Sequence, residues 1–152
     1  MRLTTKGRYA VTAMLDLAIH SDQRAVALSE VSKRQGISLS YLEQLFAQLR
    51  RCKLVKSTRG PGGGYSLSRP PFEISVAEII DAIDERIDAT QCEGLRNCQD
   101  DSPCLTHFLW QDLSVQIRDF LSNMNLGNLV NQPHVKQVAH RQDGRVEVHP
   151  PN

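Results

Sequence analysis

The chain has 152 residues, of which 40% are hydrophobic and 23% charged, with a formal net charge of +1. That length suits one domain plus trimmings and buries roughly 68–70% of the unfolded surface, enough for a core without covalent staples. No run of about 18 apolar residues is present and Met1–Arg8 lacks the apolar stretch of a secretory signal, so a cytoplasmic protein off the membrane is expected, whose four cysteines serve metal or redox chemistry rather than disulfides.

The spacing predicts a first helix from Lys6 to about Ser21. Tyr9, Ala10, Ala13, Met14, Leu17 and Ala18 form its apolar stripe, with Thr4 and Thr5 as caps. Ser29 is expected to cap a short helix through about Arg34, and Gly36 suits the left-handed position that ends it. Ser38 and Ser40 compete to start the next helix, which runs to about Cys52 with Leu42, Leu45, Phe46 and Leu49 inward. Short helix, glycine turn and second helix outline a helix-turn-helix. Leu54–Ser57 and Tyr65–Leu67 read as two strands around the glycine-rich tip Arg59-Gly60-Pro61-Gly62-Gly63-Gly64, a wing. Ser75 caps a helix from Val76 to about Asp84. Residues 85–104 are irregular and polar. Leu105 to about Met124 is the longest helical pattern, and its stripe of Leu109, Leu113, Ile117, Phe120 and Leu121 is wider than one small subunit's core requires, pointing to a homodimer. Beyond Pro133 the polar composition predicts a disordered tail over 132–152.

The small net charge hides a division. Residues 1–71 carry +8 and residues 72–152 carry −7. A basic half with a winged helix-turn-helix outline is a candidate for double-stranded DNA. On its second helix Ser38, Ser40, Tyr41, Glu43 and Gln44 offer outward hydrogen-bonding groups, and Arg59 at the wing can reach a minor groove. Lys6, Arg8, Arg50, Lys53 and Lys56 are candidate phosphate contacts. Glu43 has two readings: a capping-box partner of Ser40, or a carboxylate that discriminates between sites. Tyr41 can equally be a half-buried ring. The tip holds more glycines than a hairpin needs, which favours close contact with something outside it. The basic half is expected to keep a core of its own.

Cys92, Cys98, Cys104 and His107 fall at spacings of five, five and two intervening residues in a segment with no apolar period. Cys104 and His107 sit three apart at the expected start of the long helix, so both can face one ion. Three cysteines and a histidine suit a structural zinc ion or an iron–sulfur cluster, and spacing alone does not decide between them. Cys52 stands apart and reads as a small buried hydrophobe. No paired acid–base motif or substrate pocket is evident, so an enzyme is not expected.

Three stretches carry a resemblance: Arg2-Leu3-Thr4-Thr5-Lys6-Gly7-Arg8-Tyr9-Ala10, Gly36-Ile37-Ser38-Leu39-Ser40-Tyr41-Leu42-Glu43-Gln44-Leu45, and Arg59 to Tyr65. With the Cys-x5-Cys-x5-Cys-x2-His run, they resemble the IscR family of iron–sulfur cluster regulators over residues 1–131. The resemblance implies a mainly α, winged-helix transcription regulator. Residues 1–71 would bind DNA, with the helix-turn-helix at 28–51 and the wing at 54–67. Residues 72–131 would supply a linker helix, a cluster-binding loop (92–107) and a dimerisation helix. It further implies a homodimer with one [2Fe-2S] cluster per subunit on Cys92, Cys98, Cys104 and His107. The cluster would come from the assembly machinery, whose genes the loaded form represses. Ser38, Ser40, Tyr41, Glu43, Gln44 and Arg59 match the family's DNA-reading positions.

Overall fold

The computed structural model describes residues 4–148, which are mainly helical with one two-stranded sheet. Helix α1 (Thr5–His20) buries Ala10, Ala13, Met14 and Leu17 completely, the face its apolar spacing announces. Helix α2 (Leu28–Gln35) starts two residues earlier than expected. Ala27 is its N-cap, and the Glu30 carboxylate accepts the Ala27 N–H at 3.1 Å, so Ser29 lies inside the first turn rather than capping it. Gly36, with φ 68°, ends α2 in the left-handed conformation. Helix α3 (Leu39–Arg51) is capped by Ser38, whose hydroxyl accepts the Tyr41 N–H at 3.3 Å. Ser40 is therefore not the cap, and Glu43 has no capping box to complete.

Strands β1 (Val55–Thr58) and β2 (Gly64–Leu67) pair antiparallel, Val55 opposite Leu67 and Thr58 opposite Gly64. Val26 adds a one-residue third strand, exchanging two backbone hydrogen bonds of 2.8 Å with Tyr65. A lone bridging residue has no period to betray it in sequence. The bridge also corrects the reading of the glycine tip. A Cβ on Gly64 would lie 2.3 Å from the Val26 carbonyl oxygen, and one on Gly63 would lie 2.3 Å from that of Thr58. Close approach within the chain thus explains these glycines without an outside partner.

Helix α4 (Val76–Ala82) has the expected Ser75 cap, whose Oγ accepts the Glu78 N–H, and Glu78 completes a capping box by accepting the Ser75 N–H. After the cysteine-bearing segment come α5 (His107–Asn123), α6 (Leu126–Val130) and α7 (Pro133–Val148). The halves do not keep separate cores. Ile74, Ile79, Ile83 and Leu126 belong to one buried cluster with Met14, Leu17, Leu42 and Phe46, and Leu126 N–H donates to the Ile74 carbonyl at 3.0 Å. A boundary after residue 71 therefore marks a change of charge and not of packing.

The expected disordered tail is also corrected. Residues 133–148 form α7, which packs on α2 and α6 and buries Ala139. Polar composition signals disorder only when no partner compensates the ordering entropy, and here the partners lie on α1 and α2. The last residues of that expected tail, 149–152, lie outside the described residues.

Candidate functional site

The segment between α4 and α5 turns back on itself repeatedly. Glu93, Arg96, Asp100 and Asp101 have φ between 46° and 61°, and Gly94 has φ 81°. Left-handed non-glycine residues are uncommon, cost about 1–3 kcal/mol each, and gather at functional sites. Such turns aim successive backbone N–H groups inward, a concavity suited to an anion. Burial pushes the Cys92 thiol up, but hydrogen bonds from the backbone N–H groups of Arg96, Gly94 and Asn97 outweigh it and hold the thiol at about 6.

His107, the first residue of α5, is buried against this loop at 1% exposure. Its Nδ1 lies 3.4 Å from Cys92 Sγ and 3.7 Å from Cys98 Sγ. One ligand atom from each of Cys92, Cys98 and His107 lies within 4.8 Å of the others. Cys104 is placed differently from the expectation. It precedes α5, whose N-cap is Thr106; its backbone N–H donates to Cys98 Sγ at 3.0 Å, and its own sulfur is 3.9 Å from Thr106 Oγ1. The Cys104 backbone N–H lowers the Cys98 thiol, yet burial and the neighbouring thiols leave it raised, while the Cys98 side chain beside it lowers Cys104. Phe108 stands edge-on to the His107 ring at 5.1 Å.

The donors fit a soft metal centre. His107 Nε2 is buried without a hydrogen-bond partner among the described residues, a costly arrangement for an imidazole that serves packing alone. Thiolates plus imidazole are the set used by zinc and by iron–sulfur clusters. The backbone donors on Cys92 were not legible in sequence, where only Gly94 hinted at a left-handed turn.

Helix α5 presents an unusual face. His107 is its one buried residue among those described. Leu109 is 58% exposed and Phe120 62%, Leu113 is also exposed, and Ile117 and Leu121 are half-buried. Leu105, expected to open this helix, lies before it and is 99% exposed. Arg118 grips Asp81 of α4 through two bonds of 3.1 and 2.6 Å, and the Ala89 N–H donates to Ser114 Oγ at 2.7 Å. These bonds tie α5 to α4 and to the start of the cysteine-bearing loop.

On the basic side, Ser40, Glu43 and Gln44 project from α3 exposed. Ser38 spends its hydroxyl on the cap. Tyr41 is half-buried, edge-on to Tyr9 with centroids 5.8 Å apart. Arg59 follows β1 at the wing tip and is exposed, as are Arg8, Arg50, Lys53 and Lys56; Lys6 is half-buried beside Tyr41, Gln44 and Arg51 in a shallow groove. Three other arginines of the basic half face carboxylates: Arg24 with Glu30, Arg34 with Asp16, and Arg69 with Glu78. Cys52 is exposed rather than buried, because α3 ends there and turns it outward, 3.8 Å from the Ala82 carbonyl.

Comparison with known proteins agrees with this architecture. Residues 3–132 match the Rrf2 family, described as iron-dependent transcriptional regulators. The chain is 58% identical over 146 residues to the HTH-type transcriptional regulator IscR of Pectobacterium carotovorum, covering 96% of this chain and 89% of that one. It is likewise 58% identical over 143 residues to IscR of Vibrio cholerae, covering 94% and 83%. Among solved structures, IscR of T. potens superposes with a TM-score of 0.70 at 36% identity, covering 86% of each chain. CymR, the global cysteine regulator of B. subtilis, superposes with a TM-score of 0.74 at 30% identity, covering 85% of this chain and 95% of that one. No helix among the described residues is long and apolar enough to cross a membrane. With its winged helix, its basic reading face and its cysteine–histidine loop, the chain belongs to the Rrf2 family as an IscR-type, DNA-binding transcription regulator and not an enzyme.

Proposed function

We propose that the protein is a cytoplasmic homodimer that senses iron–sulfur cluster supply and reports it by binding operator sites in double-stranded DNA. One [2Fe-2S] cluster per subunit would be held by Cys92, Cys98, Cys104 and His107 and received from the cluster assembly machinery. The loaded form represses the genes of that machinery. The observation that carries this reading is the convergence of Cys92, Cys98 and a buried His107 whose Nε2 has no partner among the described residues. The names of its relatives support the same direction.

The bound cluster supplies a redox-active group that assembles only when iron and sulfide are available. The residues do the rest. The backbone donors of Gly94, Arg96 and Asn97 favour the thiolate of Cys92. One neutral imidazole among three thiolates leaves one fewer negative charge than four cysteines, which favours the reduced state. His107 begins α5, so its ligation ties the loop to that helix. Arg118–Asp81 extends the tie to α4, which shares the core of the reading domain, and Ala89–Ser114 ties α5 to the start of the loop. The exposed apolar side chains of Leu109, Leu113 and Phe120, with Ile117 and Leu121, are the face a second copy covers. Ser38, Ser40, Tyr41, Glu43, Gln44 and Arg59 read the DNA, and Lys6, Arg8, Arg50, Lys53 and Lys56 meet phosphates.

Anaerobic purification tests this. A red-brown protein with visible absorption, carrying two irons and two acid-labile sulfides per chain, is expected. The colour should be lost on replacing Cys92, Cys98 or Cys104 by Ala. A colourless protein with one zinc per chain would instead identify a constitutive DNA-binding protein with a structural ion.

A further inference from the structure

The sequence divides the chain into a reading half and a sensing half, yet its last helix returns to the reading half. One groove is lined by Val135 and Val138 of α7 and by Val11, Leu15 and Ile19 of α1. At the end of that groove sits a polar network with Asp16 at its centre. The Asp16 side chain is fully buried. It accepts from Arg34 Nε and Nη2, both at 2.9 Å, and from Gln35 Nε2 at 2.7 Å. His20 Nδ1 lies 3.4 Å from its Oδ1.

Two residues of α7 complete the network. Gln142 and Gln35 exchange amide hydrogen bonds of 2.9 and 3.0 Å. His20 Nε2 donates to Asp143 Oδ1 at 2.8 Å. Arg34 and Gln35 are the last two residues of α2. Only Gly36 and Ile37 separate them from Ser38, the cap of α3. The grip of α7 therefore falls just before the start of α3. A buried ion pair is weak evidence for net stability and is better attested as a device that selects one arrangement.

We propose that α7 is a clasp belonging to the DNA-reading unit, and that Gln142, Asp143 and Asp16 are positioning residues that hold α2 and α3 in the binding-competent arrangement. None of the three touches DNA; they act through Gln35, His20 and Arg34. The inference rests on the DNA-reading function proposed above. If the competent arrangement is nearly fully populated with the clasp closed, opening it lowers apparent affinity by the fraction lost. Phosphate contacts are untouched, so the salt dependence is unchanged.

The test uses the full chain and a stated probe: the tightest duplex selected by the wild-type protein from a random-sequence library. Sheared genomic DNA serves as the non-specific control. Q142A/D143A is expected to bind the selected duplex about tenfold more weakly. Its salt slope and its binding to sheared DNA should match wild type. D143E, which keeps the carboxylate, should stay within about twofold of wild type. Dissociation constants are taken from titrations corrected for the active fraction, so partial unfolding does not imitate the effect. Equal affinity of Q142A/D143A and wild type for the selected duplex overturns the clasp and leaves the DNA-reading function standing. So does a parallel loss on both DNAs. Failure of the wild-type protein to select any duplex overturns the DNA-reading function and the clasp with it, and is seen in the wild-type arm alone.

Discussion

Replacing Arg34 by Met keeps most of the stem and removes the guanidinium that meets Asp16. The carboxylate left behind is fully buried and keeps two partners, Gln35 at 2.7 Å and His20 at 3.4 Å. Stranding one member of a buried pair costs about 3–5 kcal/mol. The remaining partners place Arg34→Met near the lower end, about 3 kcal/mol. For a chain of this size that is a drop in Tm of about 6–12 °C. Thermal unfolding followed by circular dichroism at several pH values is the assay, because the deficit has a direction. Burial alone would push the Asp16 carboxyl up. Hydrogen bonds from His20, Arg34 and Gln35 outweigh that and hold it at about 2, below its ordinary 3.8. The wild-type stabilisation is therefore whole above pH 3.8 and is lost as the pH falls through 2. In the variant the stranded carboxylate takes up its proton at higher pH and its cost is relieved. The gap between the two proteins should narrow from pH 5 to pH 2. A Tm within about 2 °C of wild type at neutral pH, or a gap that does not depend on pH, would refute the assignment of Asp16–Arg34 as a coupled buried pair. D16N/R34M should lose less than the two single variants added together.

The hydrogen bond to the Asp16 carboxylate raises His20 most; burial opposes it, and the pKa reaches about 9 from an ordinary 6.5. Its stabilisation is whole below pH 6.5 and lost as the pH rises through 9, so His20→Gln should be less stable than wild type at pH 6 and converge with it by pH 10 in denaturant titrations. Glu43 caps nothing and is exposed, so Glu43→Ala should change stability by less than about 0.5 kcal/mol. If its carboxylate rejects sites, the same variant should bind a wider set of duplexes in a library competition, and profiles superimposable on wild type would remove it from the reading residues. Ile117→Glu places a charge in the centre of the apolar α5 face and should yield monomers in sedimentation velocity; an intact dimer would move the interface elsewhere.

Much of this protein is legible in its sequence because the signals are local. The stripes of Ala10, Ala13, Met14 and Leu17, and of Leu42, Leu45, Phe46 and Leu49, are fixed by 3.6 residues per turn and need no partner to be seen. So are the Gly36 turn, the Ser75 cap, and the spacing that sets Cys92, Cys98, Cys104 and His107 apart from any core. Tertiary structure decided what depends on residues distant in the chain. It chose Ser38 over Ser40 as the cap and so freed Glu43. It joined Ile74, Ile83 and Leu126 to the core of the basic half, since apolar surface is buried wherever area is available, whatever the local charge. It brought His107 against Cys92 and Cys98 while leaving Cys104 to one side, through left-handed turns at Glu93, Arg96, Asp100 and Asp101 that composition does not announce. And it ordered α7, whose polar sequence alone reads as disordered, because its partners are far away: Gln35 is 107 residues from Gln142, and His20 is 123 from Asp143. Contacts across such separations carry no periodicity, and only the folded chain brings them together.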